Sequence, residues 1–102
     1  MFRKKPVVIE AIRFLKVATE AETHFDGPIP AWLSEAMDVG IVRPSHIAGG
    51  PGLKGRIFIQ TLEGEMGADA GDWIIQGVKG EIYPIKHEIF VTTYEPVSDT
   101  SP

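Results

Sequence analysis

The chain has 102 residues, 43% hydrophobic and 24% charged, with a formal net charge of -4 and no cysteine. These values suit one globular domain and exclude a disulfide scaffold, a thiolate metal site and a cysteine nucleophile. They also argue against general nucleic-acid binding, which needs clustered Lys and Arg, and no apolar run approaches the ~20 residues of a membrane-spanning helix.

The N-terminal cations Arg3, Lys4 and Lys5 read as a solvated end, and the following segment lacks the small-residue cleavage site of a signal peptide. "KPVVIEAIRF" has the β-branched and aromatic content of a strand, although its alternation is imperfect. Residues 16–30 are polar and turn-like, and read as a connection. Trp32, Leu33, Ala36 and Met37 recur at helical spacing, which predicts one main helix over Pro30–Val39 with a stop at Gly40. A short strand at Ile41–Arg43 leads into the glycine-rich loop Gly49–Gly55. That loop is not a phosphate cradle, because Gly55 is followed by Arg56 and a strand rather than by Lys, Ser or Thr and a helix.

From Arg56 onward, turn signals recur at about 8–12-residue spacing, the mark of antiparallel strands. "RIFIQTLEG", "EMGADAGD", "WIIQG", "VKGEIYPI" and "HEIFVTTYEPV" read as successive strands, with Gly71, Gly77 and Gly80 turning the chain. The expected fold is α+β: a twisted antiparallel sheet, or a small partly open barrel, of about five to six strands with one helix packed on it. Residues 1–97 form the single domain and 98–102 a frayed tail.

Three dispersed histidines, His24, His46 and His87, offer no metal-ligand spacing, and no motif asks for a cofactor. Asp72, after Gly71 and before an apolar strand, suits a turn-setting role. The polar candidates are Lys79, Glu81, Tyr83 and Lys86. Alternation puts Glu81 and Tyr83 on one strand face, with a lysine on either side. Such a set could orient a polar ligand or, if buried, do acid–base work. Arg56 and Trp73 extend the set into a hypothetical nucleotide pocket of cations and aromatics.

The blocks "KPVVIEA", Gly71-Asp72-Trp73-Ile74, Gly80-Glu81-Ile82-Tyr83-Pro84 and the closing Tyr94-Glu95-Pro96 resemble those of a group of small phage- and prophage-encoded proteins of uncharacterised function. The resemblance runs through nearly the whole chain and is least distinctive over residues 16–54. It brings no catalytic residues to carry over. It implies a phage or prophage gene product acting in the cytoplasm of a bacterial host. The expected activity is that of a non-enzymatic accessory protein, in the manner of counter-defence proteins, that binds a host protein. The alternatives are a module that binds or sequesters a small polar ligand such as a nucleotide, and a small enzyme using Glu81 and Tyr83. Exposed sheet edges admit a homodimer.

Overall fold

The computed structural model describes residues 8–19, 22–46 and 55–96. The strand β1 (Glu10–Thr19) explains the imperfect alternation of the sequence. Ile12 and Phe14 face inward with period two, and both are buried. Pairing with β2 (Glu22–Phe25) then slips: Phe14 lies opposite Phe25 but Lys16 opposite His24. The irregularity leaves Leu15 without a place in the register and turns Val17, rather than Lys16, back into the core. The Phe14 and Phe25 rings meet at 6.1 Å.

On its other side β1 pairs with β6 (Trp73–Gln76), Ile12 opposite Ile74, and β6 pairs with β7 (Ile82–Ile85). The result is a four-stranded antiparallel sheet in the order β2-β1-β6-β7. A second, three-stranded sheet has the order β3-β4-β5, formed by β3 (Val42–Ser45), β4 (Arg56–Thr61) and β5 (Gly64–Asp69). Both strand prolines, Pro44 in β3 and Pro84 in β7, lie in edge strands, where a missing N–H breaks no ladder. Phe14, Val42, Ile57, Ile59 and Ile74 are fully buried in one cluster contributed by both sheets.

The helix α1 (Ala31–Asp38) seals that cluster with Leu33 and Ala36, while Trp32 and Met37 pack at its margin. Its end is a Schellman motif. The Ile41 N–H donates to the Ala36 carbonyl at 2.9 Å, and the Gly40 N–H to that of Met37 at 3.3 Å. This is the helix expected from the sequence, one residue shorter at each end.

The fold is therefore α+β, as expected, and the described residues form two sheets rather than one, with no closed barrel among them. Four local expectations change. β1 starts at Glu10, with Val8 and Ile9 outside it. The presumed connection over 16–30 holds the end of β1 and all of β2, and β3 is displaced to Val42–Ser45. The last segment is not a strand but a second helix, α2 (His87–Thr93). The basic cluster Arg3–Lys5, the glycine loop before Gly55 and the tail 98–102 lie outside the described residues.

Candidate functional site

The residues singled out from the sequence divide into two places. Arg56 and Lys86 belong to a charged network at one end of β5. The Arg56 Nε donates to Asp69 Oδ1 at 2.7 Å, and Lys86 Nζ donates to Asp69 Oδ2 at 3.0 Å and Asp72 Oδ2 at 2.9 Å. Asp72 is only 6% exposed, and its Oδ2 also accepts the Asp69 N–H at 2.8 Å. The turn-setting role expected of Asp72 is thus present, with a cation added to it. Hydrogen bonds from Lys86 and Arg56 hold the Asp69 carboxyl below the usual carboxylate range, the Lys86 contribution being larger. Asp72 and Asp69 in turn raise the Lys86 ammonium above the ordinary lysine value. Two cations so committed hold a turn and the start of α2; they do not face Glu81 and Tyr83.

Trp73 joins neither that network nor the central core. Its ring stacks on Phe90 at 3.9 Å and on His87 at 6.4 Å, and its Nε1 donates to His87 Nδ1 at 3.1 Å. It is the platform on which α2 rests.

Lys79, Glu81 and Tyr83 do come together, along one lip of a cleft of about 760 Å³. This lip is the turn between β6 and β7. The opposite lip is the tip of the β4–β5 hairpin, whose turn residues are Leu62 and Glu63. Thr61 fixes that tip: its hydroxyl donates to the Gly64 carbonyl at 2.7 Å and accepts the Glu63 N–H at 3.2 Å. Between the lips the floor is apolar, formed by Ile41, Met66 and Ile82. Met66 faces Ile59 across the ladder, so the cleft is the end of the inter-sheet core left open, with Met66 and Ile41 exposed in it.

The polar groups of the lip are poorly placed for acid–base chemistry. The Glu81 carboxylate folds back to accept the Lys79 backbone N–H at 3.0 Å. Burial, a hydrogen bond with the Tyr94 phenol and the charge of Glu81 push Tyr83 up to about 12. It stays protonated near neutral pH and offers a hydroxyl, not a base. Among the described residues no group of three or more His, Cys, Asp or Glu could hold a metal ion.

Leu62 is the residue sequence reasoning missed. It is 99% exposed at the hairpin tip. Gly64 takes the positive φ of this turn, +108°, and neither Leu62 nor Glu63 does, so the backbone accepts most residues there and does not call for a leucine. An apolar residue in the turn of "TLEG" was the available signal. A smaller hollow, about 250 Å³, lies near the start of α1 between Glu10, Asp26 and Trp32.

Compared with known proteins, the chain matches no family model, no curated protein and no solved structure.

Proposed function

We propose that this protein is a non-enzymatic phage or prophage accessory protein that acts in the bacterial cytoplasm by binding a host protein, and that the open cleft is the surface it uses. The observation that carries this reading is the apolar mouth itself, with Leu62 presented to solvent on its rim. Contiguous exposed apolar surface rimmed by polar groups is the usual mark of a protein interaction site. The partner segment that suits it brings an apolar anchor to lie over Met66 and Ile82. The net charge of -4 favours basic surroundings for that anchor. The nucleotide alternative loses support, because Arg56 and Lys86 are spent on Asp69 and Asp72 and Trp73 is stacked under α2. The enzymatic alternative loses support because the Glu81 carboxylate is turned back onto the Lys79 backbone N–H.

The test places a photo-crosslinking amino acid at position 62 and, as a control, at the exposed Ala18 of β1, in the bacterial host. A host-protein adduct formed from position 62 and not from position 18 is expected. With that partner purified, Leu62→Asp should weaken binding about thirtyfold, the loss typical of a central anchor residue. No adduct specific to position 62 removes the proposal. A small molecule retained by the native protein and released by Tyr83→Ala would instead favour the ligand reading.

A further inference from the structure

We infer that a second copy of this chain occupies the cleft when no other partner does, in a two-fold dimer where each protomer inserts its Leu62 turn into the other's cleft. This rests on the cleft being an interaction surface, as proposed above, and concerns how that surface is kept covered. The patch is self-complementary. A two-fold interface presents the same patch twice, so every feature of the patch must find its complement within the patch.

Here the complements are present and lie on opposite lips. The hairpin lip projects an apolar side chain, Leu62, beside a carboxylate, Glu63. The floor supplies the apolar seat in Met66 and Ile82, and the facing lip supplies a cation, Lys79. Neither the Glu63 carboxylate nor the Lys79 ammonium is in an ion pair among the described residues. The neighbouring charges are already used: Glu65 is bound by Arg43, and Glu81 by the Lys79 backbone N–H. A two-fold operation therefore sets Glu63 of each protomer against Lys79 of the other. The cleft, at about 760 Å³, lies within the roughly 300–1,000 Å³ that takes a drug-sized group, enough room for a leucine and its turn. Such a dimer hides the exposed leucine until a partner competes for the cleft.

Sedimentation velocity over a dilution series tests this with purified protein alone. The 11.2 kDa chain should pass reversibly from monomer to dimer as concentration rises. Leu62→Asp should leave only monomer. Lys79→Glu and Glu63→Lys should each weaken the dimer at least about tenfold, because each sets like charges face to face. Their combination should recover most of the loss. A wild-type chain that stays monomeric throughout overturns the inference, as does a dimer indifferent to Leu62→Asp or a charge swap without recovery. Each of these results leaves the host-protein reading standing, since that depends on the adduct formed at position 62 in cells.

Discussion

Lys86 is the residue whose side chain does most for its neighbours. It meets two carboxylates at once, and one of them, Asp72, is withdrawn from water. Removing the ammonium leaves the Asp72 carboxylate with the Asp69 N–H and little solvent to replace the lost partner. The cost of stranding a buried charged group is several kcal/mol when the pair is fully enclosed. Lys86 is half exposed, so screening reduces it, and Lys86→Met should lower stability by about 1–2 kcal/mol in urea titrations. The pH dependence has two limbs. Asp69 is depressed, so its contribution is complete above the ordinary carboxylate pKa and fades as pH falls through the lowered value. Lys86 is raised, so its contribution is complete below the ordinary lysine pKa and fades as pH climbs through the higher one. Lys86→Met should flatten both limbs and shift the plateau between them down as a whole. A mutant with an unchanged urea midpoint at neutral pH would show that the network is surface decoration. Sequence spacing could not reveal this partnership, because Lys86 and Asp72 are 14 residues apart and meet only through the β6–β7 hairpin.

At the scale of elements, legibility follows how much each element depends on its own periodicity. The stripe of α1 buries Leu33 and Ala36 directly, and β4 alternates buried Ile57 and Ile59 with more exposed neighbours. Both can be read without knowing what covers them. Gly71 and Gly80 turn the chain with φ of +95° and +84°, as the sequence suggested. Gly77 is not in that region; a Cβ there would meet only the side chain of the exposed Glu81, which can swing aside, so the turn does not require glycine at 77. The helix α2 was illegible for a physical reason. "IFVTT" has strand propensity, and the helix buries no residue fully, leaving Ile89 and Val91 each 55% exposed. What fixes it is aromatic stacking on Trp73, with Phe90 also meeting Tyr94 one turn later at 5.4 Å, together with Lys86 at its N-cap. Tertiary contact overrides local preference. Trp73→Ala should therefore release α2 while leaving both sheets intact. Hydrogen exchange is the measurement: the amides of Phe90 and Tyr94, bonded to Lys86 and Phe90 carbonyls, should lose protection while those of β4 keep theirs. The loss of stability should be about 2–3 kcal/mol, below the roughly 3–5 of a fully enclosed tryptophan. Persistent protection of those two amides would mean that α2 stands without its platform.

Over the whole molecule, the decisive quantity is apolar surface that folding leaves unused. Two sheets and α1 enclose a core that is complete at Phe14, Ile57 and Ile74 and stops short of Met66 and Ile41. Why the expected strand set did not reveal this is clear from β5. "GEMGAD" alternates so that Met66 and Ala68 face the same interior, yet only Ala68 is covered. Whether an inward-facing side chain is buried depends on where the opposite sheet ends, and one chain in one dimension does not carry that. The β4–β5 hairpin consequently holds two apolar residues three positions apart with opposite roles. Ile59→Ala should lower stability by about 2–5 kcal/mol, since it empties a fully buried position. Leu62→Asp should change it by no more than about 0.5 kcal/mol, as surface substitutions do, when urea midpoints are taken at protein concentrations too dilute for copies to associate. Dilution matters because a dimer would add its own concentration-dependent stability to the wild type alone. If Leu62→Asp lowers the monomer's midpoint as Ile59→Ala does, the hairpin tip belongs to the core, and the cleft loses its standing as a surface kept for a partner. If the two separate as expected, the leucine serves no purpose within the folded monomer, and its cost in exposed apolar area is offset only by something that binds it.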